Sequence, residues 1–175
     1  MSHNSTTAFD SMSHEDLIRA LEMFAKNWLA HDGCWFLAAE EQLGMEAAID
    51  LDMRAWARFA ETEARRIMTT FHILPQGGLG SLATALGLRM YSLINVQRLE
   101  WSEDGKHLRF FMDVCRVQET RRRKGLPDFP CKNVGTVEFE TFARTIDSGI
   151  RTTCLHCPPE AQGEQYCGWE FTLEP

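Results

Sequence analysis

The chain has no long apolar run and no excess of positive charge, and both absences limit what it can do. No apolar segment in its 175 residues approaches the ~20 needed to span a bilayer, so we expect no membrane partner. Its net charge of -7 argues against a general nucleic-acid binder. Met1 to Ser13 are mostly polar and lack the apolar stretch of a secretory signal, which predicts a cytoplasmic protein.

Short motifs of several enzyme classes are also missing. The sequence contains no P-loop, no Rossmann glycine pattern and no serine-nucleophile motif. Gly77-Gly78-Leu79-Gly80 is rich in glycine, but it follows a predicted helix and not a strand, so it does not predict a phosphate loop. What remains is a globular chain, 44% apolar, that can bury a sizeable core.

Hydrophobic periodicity predicts an α+β fold. A disordered tail over residues 1–12 precedes a single domain over residues 13–175. Its first part, residues 13–88, is a helical lobe with helices over about 13–33, 34–43, 53–71 and 79–86, and Gly33 is expected to end the first of them in a left-handed conformation. Its second part, residues 89–175, has strands over about 90–101, 108–114, 150–157 and 166–173, with a helix over about 134–145. We therefore expect a helical lobe packed on a four-stranded, mostly antiparallel sheet in the order β-β-α-β-β.

Most of the cysteines lie in the predicted sheet lobe. Cys154 and Cys157 form a Cys-x-x-Cys pair followed by two prolines, Cys115 ends a strand, and Cys131 lies in a proline-containing loop. Because thiolates select soft metals, Cys115, Cys131, Cys154 and Cys157 are candidate ligands, for zinc first and an iron–sulfur cluster second. Cys167 is a doubtful fifth, since it alternates with apolar residues of a strand. The alternative is a set of unliganded thiols or a redox pair.

His31 and Asp32 are the candidate catalytic residues. They lie where the first two predicted helices meet, beside several aromatic residues, and could do acid–base work at the rim of a pocket. The alternative is an ordinary helix end with a histidine near its C-terminus. The tryptophan-rich stripe of the helical lobe is either a core or the face of a homodimer.

Three segments of the chain resemble an uncharacterised family of prokaryotic cytosolic proteins of about this length. These are Trp28-Leu29-Ala30-His31-Asp32-Gly33, Cys115-Arg116-Val117-Gln118 with Phe129-Pro130-Cys131-Lys132, and Cys154-Leu155-His156-Cys157-Pro158-Pro159. More distantly, the order of elements resembles the L-2-amino-thiazoline-4-carboxylate hydrolase-like proteins and the small-molecule-binding domains of the vinyl-reductase type. The resemblance implies a helical pocket for a small ligand beside a cysteine-rich sheet, often in a dimer.

Two functional classes follow. The first is a cytosolic metal-thiolate protein that binds or senses a small molecule, with the metal holding the sheet together. The second is a hydrolase acting on a cyclic amide-like or thiazoline substrate, in which His31 and Asp32 or a metal-bound water do the chemistry.

Overall fold

A computed structural model describes residues 7–160 and 165–174. Within them the chain forms a helical part followed by a sheet with two further helices. The elements are α1 (His14–Leu43), α2 (Met45–Phe71), α3 (Gly78–Gly87), β1 (Val96–Trp101), β2 (His107–Val114), α4 (Arg116–Arg123), α5 (Lys132–Ile146), β3 (Ile150–His156) and β4 (Cys167–Leu173). The predicted α+β fold is confirmed. The predicted tail falls partly on residues 1–6, which lie outside the described residues, and Ala8–Ser11 form a 3₁₀ turn.

One continuous helix, α1, replaces the two helices predicted for residues 13–43. It begins after Ser13, whose hydroxyl oxygen accepts a hydrogen bond from the Asp16 backbone N–H at 3.1 Å, and ends at Gly44, where φ is 84°. The prediction that Gly33 ends a helix is wrong, because Gly33 is an interior residue of α1. A glycine inside a helix costs only about 1 kcal/mol. The tertiary contacts of a 30-residue helix exceed that cost.

The helix α2 begins at Met45, eight residues before the predicted start at Met53. Asp50 and Asp52 are therefore interior residues of this helix. The buried face of α2 carries Trp56, Ala60 and Ala64. Because Asp52 is four residues before Trp56, it lies on nearly the same face of the helix.

The sheet has the order β1-β2-β4-β3, and each neighbouring pair is antiparallel. The first strand begins later than predicted, because Met90–Leu93 form a 3₁₀ turn before it. One face of the sheet carries Phe110, Trp169 and Phe171, all buried against α5. At Gly135 of α5, a Cβ atom would lie 2.6 Å from Trp169 Cζ2, so only glycine allows this approach.

Candidate functional site

A cavity of about 380 Å³ lies between α1, α2, the inner face of the sheet, and the segment from Cys115 to Phe139. Its volume falls in the range of pockets that hold small organic molecules. Most of the side chains that line it are apolar or aromatic. They include Leu29, Phe36, Leu37, Trp56, Tyr91, Phe110, Met112, Phe129, Val134, Phe139 and Trp169.

The outer end of the cavity lies between α1 and α4. The buried Arg121 joins these helices, because its guanidinium donates to both carboxylate oxygens of Glu40, at 2.7 and 2.9 Å. The four consecutive basic residues 121–124 therefore have different roles. Arg121 is structural, Arg122 pairs with Asp128 at 2.8 Å, and Arg123 and Lys124 are exposed beside the opening.

A buried arginine organises the inner end of the cavity. The guanidinium of Arg89, which is 3% exposed, donates to Glu63 at 2.9 Å and lies 2.7 Å from a carboxylate oxygen of Glu138. It also lies 4.7 Å from the ring centre of Phe142. These two carboxylates raise the pKa of Arg89 and keep it charged, although burial acts in the opposite direction. Removing one member of such a network typically costs about 3–5 kcal/mol.

Two further carboxylates, Asp32 of α1 and Asp52 of α2, line the same region. Burial and the nearby carboxylates of Asp32 and Glu138 together raise the pKa of Asp52 to about 7, although a hydrogen bond with the Trp56 side chain acts in the opposite direction. Burial also raises the pKa of Asp32, against the influence of His31. This part of the wall therefore holds more negative charge than the surrounding cations neutralise.

A smaller cleft of about 140 Å³ shares Asp32 and Trp56 with the main cavity. Its other walls are Trp28, Ala55 and Phe59. Trp28 stacks on Phe59 with ring centres 5.5 Å apart, and it meets Trp56 edge to face at 6.2 Å. The predicted tryptophan stripe is thus partly core and partly the wall of this cleft.

Four thiols meet at the end of the cavity nearest the sheet. Cys154 Sγ and Cys157 Sγ are 3.5 Å apart. Hydrogen bonds with Cys131 and Cys167 raise the pKa of Cys157, and the same contact with Cys157 lowers the pKa of Cys131. The side chain of Gln118 also donates to Cys131 Sγ, at 3.5 Å. We call Cys131, Cys154, Cys157 and Cys167 the thiol cluster.

Cys115, the other predicted ligand, lies near this cluster without such a contact to Cys157. Burial raises its pKa to about 12, and the neighbouring thiols Cys167 and Cys131 contribute to the increase. Within residues 7–160 and 165–174, no three His, Cys, Asp or Glu side chains already form a group able to hold a metal ion. The 3.5 Å between Cys154 and Cys157 is nevertheless close to the ~3.8 Å that 2.3 Å zinc–sulfur bonds impose on two tetrahedral ligands.

The structure separates the two candidate catalytic residues. His31 is exposed, whereas Asp32 is half-buried and lines the cavity. Successive residues of a helix point about 100° apart, and α1 continues through both.

Several charged residues at the inner end of the cavity, in its wall or paired with it, were not predicted. Glu63 gave the clearest signal, because it lies between Ala60, Ala64 and Ile67 on the buried face of an amphipathic helix. A charged residue in that position requires a buried partner. Asp52, Arg89 and Glu138 gave no comparable signal, because their proximity depends on how α2, α5 and the turn before β1 pack.

The fold and the cavity together define an α+β domain with an internal pocket of ligand size. The chain belongs to the family described as "Family of unknown function (DUF6125)", whose model matches residues 10–173. This agrees with the expectation of an uncharacterised family. No curated protein matches the chain. Within residues 7–160 and 165–174, no helix combines the length and apolar character needed to cross a membrane.

Solved structures that resemble the chain include the following two. The phenol-responsive sensory domain of the transcription activator PoxR, solved with phenol, is 15% identical with a TM-score of 0.53. That match covers 82% of this chain and 73% of the PoxR domain, and it shows a shared fold. Trafficking protein particle complex subunit 3 from Naegleria fowleri, covalently bound to palmitic acid, is 11% identical with a TM-score of 0.48. That match covers 93% of this chain and 98% of the other.

Proposed function

We propose that the protein is a small-molecule-binding domain that acts as a sensor or carrier, with its ligand in the cavity between α1, α2 and the sheet. The cavity of about 380 Å³ is the observation that carries this proposal. Its walls are mostly apolar and aromatic, with basic groups near the opening and acidic groups at the inner end, and sites that bury a small organic ligand use such polar groups to fix its orientation.

The similar fold of the PoxR sensory domain supports this choice, since that structure contains phenol. A single aromatic ring with a short substituent is compatible with the volume of the cavity and with its aromatic walls. We therefore choose phenol, benzyl alcohol and 2-naphthol as first probes. Isothermal titration calorimetry and thermal stabilisation would measure binding, which raises the unfolding temperature when the ligand binds only the folded state.

A pair of variants on α1 tests where such a ligand binds. Ala30 and Ala38 are both exposed on this helix, but only Ala30 lines the cavity. Ala30→Trp should narrow the opening and weaken binding at least about tenfold, which corresponds to about 1.4 kcal/mol. Ala38→Trp should bind as the parent protein does. Equal binding by both variants, or no binding of any probe to the parent, would contradict the proposal.

We also propose a structural zinc ion at the thiol cluster. The sequence predicted Cys115 as the fourth ligand, but the contacts to Cys157 favour Cys167 in that place. Cys131 immediately precedes α5, Cys154 lies in β3 with Cys157 directly after that strand, and Cys167 begins β4. A metal there would join three elements of the sheet lobe, at the cost of small side-chain rotations. An iron–sulfur cluster is the alternative that four thiolates also allow.

The hydrolase alternative has less support. It needs His31 and Asp32 to act on one substrate, and only Asp32 lines the cavity. Hydrolysis assays with thiazoline and cyclic amide substrates, comparing the parent protein with His31→Ala, would test it.

A second copy of the chain is the proposed protein partner. The first half of α1 leaves Leu21 and Phe24 exposed, at 52% and 49%. A homodimer through this face would cover them. Light scattering during gel filtration should give twice the chain mass, and Leu21→Glu should give the mass of a monomer.

A further inference from the structure

The inner end of the cavity has an acidic wall whose charge the protein does not balance. The carboxyl groups of Asp32, Asp52 and Glu138 line this part of the cavity, and Glu138 together with Glu63 pairs with the buried guanidinium of Arg89. Arg89 is committed to Glu63 and Glu138 through contacts of 2.7 to 2.9 Å. The largest electrostatic influences on Asp52 come from Asp32 and Glu138, both of which are carboxylates.

The basic residues nearest to Asp32 and Asp52 in the chain are engaged elsewhere. Lys26 lines the cavity, but its ammonium pairs with Glu22 at 3.3 Å, and Arg54 pairs with Asp50 at 2.8 Å on the exposed side of α2. His31 is exposed, and it opposes the increase that burial causes in the pKa of Asp32. A buried carboxylate without a cation must either hold a proton or bind a cation supplied from outside.

The same region is aromatic. Trp56 and Tyr91 line the main cavity, with rings stacked at 6.1 Å, and Trp28 and Phe59 line the adjoining cleft that opens beside Asp32. Aromatic faces next to carboxylates attract organic cations, because the ring quadrupole is negative at its face. Arg89 makes cation–π contacts of this kind, since its guanidinium lies over the rings of Phe142 and Trp56.

From this juxtaposition we infer that the natural ligand carries a protonated amine on an apolar body, and that Asp32 and Asp52 accept the ammonium at the inner end of the cavity. This inference rests on the proposed ligand-binding function and specifies its ligand class. The ammonium donates to the two carboxylates, and the apolar body extends between α1 and α4 toward the opening.

The basic side chains at the opening do not oppose this arrangement. Arg123 and Lys124 are exposed, and at physiological ionic strength dissolved ions screen their charge over about 8–10 Å. The carboxylates at the inner end act in a less polar environment, where the same charge has a stronger effect. The opening therefore favours a ligand whose far end is neutral or acidic.

The test compares a cation with neutral molecules of nearly the same shape. Benzylamine, benzyl alcohol and toluene would be titrated into the full chain at pH 8 by calorimetry, with tryptophan fluorescence as a second readout. Benzylamine should bind at least about tenfold more tightly than benzyl alcohol, as expected for charge-assisted hydrogen bonds. At pH 5.5 the amine is still protonated but Asp52 gains a proton, so this preference should shrink while alcohol binding is unchanged.

Asp52→Asn and Asp50→Asn form a matched pair, because both change α2 and only Asp52 lines the cavity. Asp52→Asn should remove most of the preference for the amine and keep alcohol binding. Asp50→Asn should behave as the parent does. If the alcohol binds as tightly as the amine, or if Asp52→Asn keeps the preference, the cation inference is overturned while the ligand-binding function stands. If neither compound binds and phenol and 2-naphthol also fail, both proposals are overturned.

Discussion

Asp52 shows how a single unbalanced carboxylate links the cavity to the stability of the protein. In the unfolded chain it titrates near its ordinary value of 3.8, whereas in the folded protein its pKa is about 7. Between these values the folded state holds a proton that the unfolded state has lost. The contribution of Asp52 to stability is therefore complete below pH 4, falls as the pH rises through 7, and stays low above it.

Replacing Asp52 by Asn should remove this loss of stability at high pH. We expect the unfolding temperature of Asp52→Asn to exceed that of the parent protein at pH 8, and the difference to shrink toward pH 4.5. Thermal unfolding followed by circular dichroism across this range measures the difference, with Asp50→Asn as the control for a lost surface charge. A difference that does not change with pH would show that Asp52 has an ordinary pKa.

The positions and contacts of single residues were predicted well from the sequence where neighbouring residues determine them. They were predicted poorly where the packing of distant segments determines them. Ser13 was predicted to start a helix, and it caps α1. The Cys-x-x-Cys spacing predicted two adjacent thiols, and Cys154 Sγ lies 3.5 Å from Cys157 Sγ. Arg89 and Glu138 are 49 positions apart in the chain, and no local pattern indicates that they form an ion pair.

Among the elements, α1 illustrates why helix boundaries were the weakest predictions. Gly33 resembles a helix end in sequence, yet it lies inside a helix that wraps one wall of the cavity. Gly44 is the real junction, with a φ of 84° that favours glycine. The strands were predicted more accurately, because the alternation of buried residues in β2 and β4 is visible in the sequence.

Alanine at these two glycines should have opposite effects. A Cβ at Gly33 meets no atom within 4 Å, so Gly33→Ala should raise the free energy of unfolding by about 0.5–1 kcal/mol. Gly44→Ala should lower it by about 1–2 kcal/mol, because alanine is strained at positive φ. Urea denaturation of the unliganded protein measures both. Destabilisation by Gly33→Ala would mean that α1 is not continuous at this position.

For the whole molecule, the helical lobe and the sheet lobe meet around the cavity, so stability and ligand binding depend on the same side chains. Phe139 of α5 contacts Phe110 and Trp169 of the sheet, and Glu138 beside it faces Arg89. A ligand that neutralises the acidic wall would remove electrostatic repulsion between α1, α2 and α5. Binding of such a ligand should therefore stabilise the entire domain.

The thiol cluster lies at the end of the cavity nearest the sheet, and we expect it to bind zinc. Protein purified without chelator or oxygen should contain one equivalent of zinc by elemental analysis and show no visible colour. Cys157→Ser should lose the metal and lower the unfolding temperature, because the metal binds only the folded sheet lobe. A chelator should have the same effect on the parent protein and none on this variant.

Variants of Cys167 and Cys115 decide between the two ligand sets, and a variant of Cys34 is the control. Cys34 is an exposed residue of α1 and not a member of the thiol cluster, so Cys34→Ser should keep full zinc content. Cys167→Ser should lose zinc and Cys115→Ser should retain it in the folded protein, whereas the set predicted from sequence requires the reverse. Brown protein that contains iron and sulfide would show that the site holds an iron–sulfur cluster and not zinc. Absence of any metal would leave the cluster as a group of partly buried thiols, and the pair at 3.5 Å would then be open to oxidation.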